Sequence, residues 1–196
     1  MDLLRDIALN VVRGTEVAAL RASRQLGMAD KNAADKAATD GMRGMLDMLP
    51  LRGTIINGEG VKDQAPMLYI GEHVGDWEDV SYPEVDISVD PIDGTRLVAN
   101  GQANALAIMA VGDKGSMSFL PTFYAEKLSY GPKLKGCLDI NCSIRENLKI
   151  ASIKLDKPVR DLTIAVLDRP RHEELIAQIR AVGARIKLIG DGDVAA

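Results

Sequence analysis

The centre of the chain reads Val85-Asp86-Ile87-Ser88-Val89-Asp90-Pro91-Ile92-Asp93-Gly94-Thr95. Val85, Ile87 and Val89 alternate with polar residues, and this period of two predicts a half-buried β-strand. Pro91 has no N–H to donate to a neighbouring strand, so we expect the strand to end there. Gly94 permits a tight turn after it. The stretch therefore predicts a strand end that presents two carboxylates and a hydroxyl together.

Asp90, Asp93 and Thr95 are the polar side chains at this strand end. Oxygen ligands of this kind suit hard cations such as Mg²⁺ and Mn²⁺. The alternative is an ordinary Asp-rich turn, because Asp and Gly collect in turns for conformational reasons alone. The turn by itself leaves both interpretations open.

Two further loops carry acidic residues at the ends of predicted elements. Gly58-Glu59-Gly60 follows a short apolar run, and the two glycines leave the carboxylate unshielded, although such a sequence is common in plain loops. Asp30-Lys31-Asn32-Ala33-Ala34-Asp35 lies between two helical patterns, where a helix N-cap with a solvated first turn is the simpler interpretation. Three carboxylate-bearing loops together favour a metal site more than any one of them does.

The composition is that of an ordinary globular chain, with 46% hydrophobic and 27% charged residues. A net charge of −4 disfavours nucleic acid as a partner. Apolar runs stay below the roughly 20 residues that cross a bilayer, and the charged N-terminus is unlike a signal peptide. Cys137 and Cys142 are then expected to be reduced thiols in the cytoplasm. His73 and His172 alone offer little material for a zinc site or a Ser-His-Asp triad.

Apolar periodicity indicates a mixed α/β chain. Helical spacing predicts one helix from about Ile7 to Ala22, closed by Gly27, and a second from about Ala33 to Leu49, before Pro50. A third, shorter helix is predicted at Arg145–Leu155. Shorter apolar runs predict strands at Thr54–Ile56, Met67–Ile70, Val85–Val89 and Leu106–Val111.

In the last part of the chain, predicted strands and helices alternate. A strand at Leu162–Leu167, a helix at Arg171–Val182 and a strand at Arg185–Ile189 form a β-α-β unit, the usual start of a parallel layer. We place a domain boundary near Lys157-Pro158. The predicted architecture is α/β: residues 1–157 form N-terminal helices and a mostly antiparallel sheet, and residues 158–196 begin a second, parallel domain.

Seven segments together resemble the class II fructose-1,6-bisphosphatases in content and order: Asp30–Asp35, Ile56–Gly60, Ala65–Glu72, Asp90–Arg96, Ala99–Ala105, Leu167–His172 and Asp191–Asp193. The Asp-Pro-Ile-Asp-Gly-Thr segment alone indicates only the wider superfamily of lithium-sensitive, metal-dependent phosphomonoesterases. The resemblance covers essentially the whole chain. It implies a sugar-phosphatase fold and a cytoplasmic, gluconeogenic, homo-oligomeric enzyme. That enzyme would use Mn²⁺ or Mg²⁺ to release the 1-phosphate of fructose 1,6-bisphosphate, with inhibition by lithium.

The resemblance also implies roles for individual residues. Asp35 and Glu59 would bind one metal ion, and Asp90 and Asp93 the second. Thr95 would hold the attacking water while an adjacent carboxylate accepts its proton, so Thr95 and Asp35 are the catalytic candidates. The expected contacts to the sugar bisphosphate are Asp93, Gly94, Thr95, Tyr124, Arg169, Pro170, Arg171, Asp191, Gly192 and Asp193.

Arg169-Pro170-Arg171 precedes a predicted helix, where two guanidinium groups and a helix N-terminus would suit a second phosphate. Solvated surface arginines are the alternative, and Tyr124 would equally suit the edge of a core. Asp191-Gly192-Asp193 is predicted to be a loop, with Asp193 as a natural cap for a following helix.

The chain departs from the family pattern at Val61, where many members carry an acid, and at Asp93, which some members replace with glutamate. The family pattern continues beyond Ala196 with a further glutamate ligand, so we expect an incomplete second metal site in this chain. One alternative keeps the chemistry on sedoheptulose 1,7-bisphosphate or an inositol phosphate. Another is a catalytically silent module that binds sugar phosphates or associates with other subunits.

Overall fold

The computed structural model describes residues 3–59, 67–122 and 124–194, with side chains from residue 7 onward. The chain forms two compact units: one runs to Leu120 and takes in the segment from Asp191, and the other runs from Pro121 to Gly190. The boundary predicted near Lys157-Pro158 lies inside the second unit, where one apolar cluster joins residues on both sides of it, among them Leu148, Ala151 and Leu162.

Two long helices open the first unit, α1 (Leu3–Ser23) and α2 (Lys31–Leu46). Asp30 is the N-cap of α2, since its side chain accepts a hydrogen bond from the N–H of Ala33 at 2.9 Å, as the sequence predicted. Helix α2 ends three residues before the predicted Leu49. Its buried face has the spacing of four that packs one side of a helix on a core: Ala34, Ala38, Met42 and Leu46.

A four-stranded sheet completes the first unit, in the order β2-β1-β3-β4. Its strands are β1 (Arg52–Asn57), β2 (His73–Gly75), β3 (Glu84–Asp93) and β4 (Leu106–Asp113). β1 is antiparallel to β2 and parallel to β3, and β3 is antiparallel to β4, so the prediction of a mostly antiparallel sheet is confirmed. A short helix, α3 (Thr95–Ala99), follows β3 directly.

Two predictions about strands are wrong. β3 continues through Pro91 to Asp93, because its pairing with β4 shifts register between Asp90 and Asp93, and at such a bulge a missing N–H costs little. Residues 67–70 form a turn instead of a strand. Leu68 adopts a left-handed φ of 57° there while its side chain is fully buried in the core, so its apolar character reflects burial and not a strand.

The second unit contains α4 (Ile144–Leu155), β5 (Thr163–Leu167), α5 (Glu173–Val182) and β6 (Arg185–Ile189). β5 and β6 pair in parallel, which confirms the predicted β-α-β unit. Helix α5 starts two residues later than predicted, after a short 3₁₀ turn, and ends as predicted at Gly183, whose φ is 90°.

Several sequence predictions fall outside the described residues: Gly60, Val61, Ala65 and Pro66 after β1, and Ala195 and Ala196 at the end. Within the described ranges, no helix is both long enough and apolar enough to cross a membrane.

Candidate active site

The ends of β1 and β3 define one edge of the sheet. These strands are parallel neighbours, with Asn57 opposite Ser88, so both strands end at the same edge of the sheet. Glu59 and Asp90 each lie two residues beyond that pair. The topology therefore brings the Gly-Glu-Gly loop and the Asp-Pro-Ile-Asp-Gly-Thr turn to the same side of the first unit.

The end of β3 and the turn that leads into α3 are held by local hydrogen bonds. Asp90 Oδ1 accepts from the N–H of Ile92 at 3.1 Å, and Thr95 Oγ1 donates to the carbonyl of Ile92 at 3.3 Å. Asp90 is half-buried and Asp93 is buried. The carboxylates and the hydroxyl predicted from this stretch are thus held at one strand end, with the Thr95 hydroxyl bonded to the turn itself.

Glycine is required where this turn passes another loop. Gly94 has a φ of 96°, a backbone conformation that side chains rarely adopt. A Cβ added there would lie 2.9 Å from Leu97 Cδ1 and 3.5 Å from the Cα of Gly192. The two predicted glycines of the substrate site therefore pack closely against each other.

Like charges surround Asp90. Burial raises the pKa of Asp90 to about 6, the charge of Asp93 adds to the increase, and the Ile92 N–H opposes it. The charges of Asp35 and Asp193 raise the pKa of Asp90 further. The carboxylates of Asp35, Asp93 and Asp193, all predicted site residues, therefore lie within electrostatic range of Asp90.

The segment that precedes α2 fixes the start of this helix beside the carboxylates around Asp90. The N–H groups of Gly27 and Ala29 donate to the carbonyls of Val98 and Ala99, both at 2.9 Å. The start of α2 is thereby tied to α3, immediately after the Asp93 turn. This attachment accounts for the proximity of Asp35 to Asp90.

The predicted loop at residues 191–194 closes onto the same turn. Asp191 Oδ2 accepts from the N–H of Arg96 at 3.1 Å, and the N–H of Val194 donates to Asp93 Oδ2 at 3.1 Å. Both contacts lie within the first unit. A carboxylate from each segment thus holds the backbone of the other.

The remaining predicted substrate residues gather in the second unit. The guanidinium carbon of Arg171 lies 4.7 Å from the ring centroid of Tyr124, a cation–π distance. Tyr124 is 73% exposed, so it is not the core-edge residue that the sequence left open. Arg169 Nη1 donates to the carbonyl of Gly190 at 2.5 Å, and Pro170 starts the 3₁₀ turn that leads into α5.

Sequence reasoning assigned no role to Arg43 and Glu72, although Glu72 belongs to one of the segments that carry the family resemblance. Arg43 Nε donates to Glu72 Oε1 at 2.6 Å, and the Glu72 side chain is almost completely buried. The two residues are 29 positions apart, so no local spacing pattern connects them.

No group of three or more carboxylate, imidazole or thiol side chains in the described part of the chain already has the arrangement that holds a metal ion. The predicted ligand set therefore stays a prediction. Of its members, Asp35 and Asp93 lie within electrostatic range of Asp90, and Glu59 lies at the same edge of the sheet.

Comparison with known proteins gives the family. The family described as bacterial fructose-1,6-bisphosphatase, glpX-encoded, matches residues 5–196. Over 98% of its length the chain is 50% identical to fructose-1,6-bisphosphatase 1 class 2 of Escherichia coli K12, of which it covers 56%. It is 44% identical to D-fructose 1,6-bisphosphatase class 2/sedoheptulose 1,7-bisphosphatase of Synechococcus elongatus, of which it covers 58%.

The chain therefore belongs to the bacterial, glpX-encoded fructose-1,6-bisphosphatase family, and the resemblance found in the sequence is confirmed. It spans little more than half the length of the curated relatives it matches.

Proposed function

We propose that this chain carries the reaction centre of a metal-dependent phosphatase that hydrolyses the 1-phosphate of fructose 1,6-bisphosphate to give fructose 6-phosphate and phosphate. The observation that supports this most strongly is the group of carboxylates around Asp90: burial raises the pKa of that residue, and the charges of Asp93, Asp35 and Asp193 raise it further. Carboxylates collected from separate elements at one strand end are what a divalent-cation site requires.

The chemistry of the donor set fits Mn²⁺ or Mg²⁺. Asp35, Glu59, Asp90 and Asp93 supply only oxygen atoms, which both cations prefer. Uncompensated like charges in a partly buried site are costly, and a divalent cation removes that cost. Asp35 and Glu59 would hold one ion, and Asp90 and Asp93 the other. Bound ions of this kind neutralise phosphate charge and make a water more acidic.

The chain's own groups would orient the reactants. Thr95 would turn its hydroxyl from the Ile92 carbonyl toward the attacking water, and Asp35 or another adjacent carboxylate would accept the proton that this water loses. The backbone N–H groups at Gly94 and Thr95 would bind oxygens of the reacting phosphate. Attack by the water would form a new P–O bond and break the P–O bond to the sugar C1 oxygen, and that oxygen would take up a proton from solvent and leave as the sugar hydroxyl.

The rest of the sugar bisphosphate would be bound by polar groups of the other predicted positions. Asp191 and Asp193 suit sugar hydroxyls, and the backbone at Gly192 allows a close approach. Arg169 and Arg171 would bind the second phosphate, with Pro170 fixing the backbone between them and Tyr124 lying against Arg171 at 4.7 Å.

Sedoheptulose 1,7-bisphosphate is the second candidate substrate, because the Synechococcus relative is a D-fructose 1,6-bisphosphatase class 2/sedoheptulose 1,7-bisphosphatase. A panel with fructose 1,6-bisphosphate, sedoheptulose 1,7-bisphosphate and an inositol monophosphate separates the possibilities. We expect phosphate release from the bisphosphates in the presence of Mn²⁺. Faster release from the inositol phosphate would contradict the proposal.

A silent binding module is the alternative of a different class, because the chain spans little more than half of its relatives. Metal-dependent phosphate release by this 196-residue chain, lost in Asp90→Ala, would exclude it. Binding of the bisphosphate without any release would favour it instead. Cytoplasmic location, homo-oligomeric assembly and a role in gluconeogenesis are further parts of the proposal, supported by the family membership.

A further inference from the structure

The turn at residues 68–72 supports the backbone that carries Glu59. The N–H of Glu59 donates to the carbonyl of Leu68 at 3.0 Å. Gly58 passes so close that an added Cβ would lie 2.2 Å from the same carbonyl oxygen. Leu68 itself has the left-handed φ of 57°, which aims the carbonyl while its side chain stays in the core. The position of Glu59 therefore depends on how this turn is held.

The turn is attached to β1 by backbone hydrogen bonds. Gly71 N–H donates to the carbonyl of Ile55 at 2.7 Å, and Ile55 N–H donates to the carbonyl of Glu72 at 2.9 Å. Inside the turn, the N–H of Glu72 donates to the carbonyl of Tyr69 at 3.0 Å. The side chain of Glu72 completes the loop, since its Oε2 accepts from the N–H of Tyr69 at 3.2 Å.

The other oxygen of Glu72 connects the turn to α2. Glu72 Oε1 accepts from Arg43 Nε at 2.6 Å, and the Arg43 guanidinium also pairs with Asp47. Burial works against the charge of Arg43, but its hydrogen bonds to Asp47 and Glu72 outweigh that effect and raise its pKa. The Arg43 guanidinium is thus positively charged at neutral pH.

Helix α2 also carries Asp35. A helix rises by about 1.5 Å per residue, so Asp35 lies about 12 Å from Arg43 along one rigid element. The Arg43–Glu72 pair therefore connects the element that bears Asp35 with the turn that holds the backbone of Glu59. These two carboxylates belong to the ligand set of one proposed metal ion.

We infer that Arg43 and Glu72 are positioning residues, whose partly buried ion pair sets the spacing between Asp35 and Glu59. This inference rests on the proposed metal site. Buried ion pairs contribute little net stability compared with apolar residues, so a role in fixing geometry is a reason to keep one at this position. Partners of this kind, which orient the ligands of a metal, commonly change its affinity 10–100-fold when they are replaced.

The test measures Mn²⁺ affinity and amide exchange in four variants of the 196-residue chain. Glu72→Gln removes one negative charge. The matched control is Glu84→Gln, which also removes one negative charge from an ion pair. In that pair Arg52 Nη1 lies 3.2 Å from Glu84 Oε1, at the opposite end of β1. We expect Glu72→Gln to weaken Mn²⁺ binding about tenfold or more and Glu84→Gln to change it less than about twofold.

Arg43→Met separates positioning from simple electrostatics. Loss of a positive charge by itself would strengthen binding of a cation, whereas loss of the positioning pair weakens it. Arg43→Met leaves the Glu72 carboxylate buried without its ion-pair partner, which can prevent folding. If the single variant does not fold, Mn²⁺ binding is measured in the double variant Arg43→Met/Glu72→Met instead. Weaker Mn²⁺ binding in either of these variants supports the inference, and unchanged or stronger binding overturns it.

Hydrogen exchange at the Glu59 amide, in the metal-free chain, gives a readout that needs no metal. We expect exchange at that amide to be at least about tenfold faster in Glu72→Gln and unchanged in Glu84→Gln. Equal protection of Glu59 in wild type and Glu72→Gln overturns the inference, whatever the metal data show. A wild-type chain that binds no Mn²⁺ contradicts the proposed metal site instead, and the amide result then decides whether the pair holds Glu59.

Discussion

The backbone N–H of Val194 donates to Oδ2 of Asp93 at 3.1 Å, although 101 residues separate the two in sequence. Asp191 makes the reciprocal contact with the N–H of Arg96. A proposed metal ligand and a proposed sugar-binding loop therefore hold each other in place. Changes in either segment are expected to affect both metal and substrate binding.

Removing the Asp191 carboxylate tests this connection. Asp191→Ala deletes the acceptor for the Arg96 N–H, so we expect a loss of about 1 kcal/mol in unfolding free energy and a higher KM for fructose 1,6-bisphosphate. Urea unfolding followed by fluorescence of Trp77, the one tryptophan in the chain, reports on the first unit. Asp113→Ala, at an exposed position, is the control. Equal effects of the two substitutions would contradict the account.

Asp90→Asn is expected to stabilise the metal-free chain. The pKa of Asp90 rises from its usual 3.8 to about 6 on folding, so ionisation of this group opposes folding. Its stabilising contribution is complete below pH 3.8 and is lost as pH rises through about 6. The pKa difference corresponds to at most about 3 kcal/mol.

The variant should therefore match wild type near pH 4 and exceed it by up to about 3 kcal/mol at pH 7, in urea unfolding with a chelator present. Asn retains an oxygen that accepts from the Ile92 N–H. A gain that does not increase between pH 4 and pH 7 would show that folding does not raise the pKa of Asp90.

Gly58→Ala tests the close contact beneath Glu59. Its Cβ would meet the Leu68 carbonyl at 2.2 Å, so the two backbone segments must separate. We expect a loss of about 1–3 kcal/mol in unfolding free energy together with weaker Mn²⁺ binding. Gly44→Ala is the matched control, because nothing lies within 4 Å of its Cβ in the exposed face of α2. That substitution should stabilise the chain by about 0.5–1 kcal/mol.

Arg171→Met tests the proposed second-phosphate site. Loss of the guanidinium should raise KM for fructose 1,6-bisphosphate with little change in kcat, because this phosphate does not react. Arg171→Lys should restore the charge but not the full affinity, since lysine lacks the planar fork. Arg180→Met, an exposed arginine on α5, should leave KM unchanged. A fall in kcat at constant KM would argue against the assignment.

Much of the fold follows from local pattern. The alternation at Val85–Val89, the capping role of Asp30 and the strand-helix-strand rhythm after Leu162 all predicted real elements, because each depends on residues close in sequence. Pro91 misled the sequence prediction, since the register shift that accommodates it depends on pairing with β4.

The turn at residues 67–70 was mistaken for a strand for a related reason. A buried turn and a short strand are equally apolar, and only the tertiary position of Leu68 distinguishes them. The same distinction applies to the site, where contacts between residues close in sequence were predictable and contacts between distant residues were not. The Asp90–Thr95 turn was predicted from its own residues, whereas the pair of Arg43 and Glu72 becomes visible only when α2 packs beside the sheet.

The most direct test of the central claim is a Mn²⁺ titration of the metal-free chain, with wild type, Asp90→Asn and Asp113→Asn compared at pH 7. Asp113 lies at the far end of the sheet, opposite Val85, so its substitution removes one carboxylate away from the proposed site. We expect Asp90→Asn to weaken Mn²⁺ binding at least about tenfold and Asp113→Asn to bind Mn²⁺ like wild type. Equal affinities in all three proteins would contradict a metal site at the end of β3.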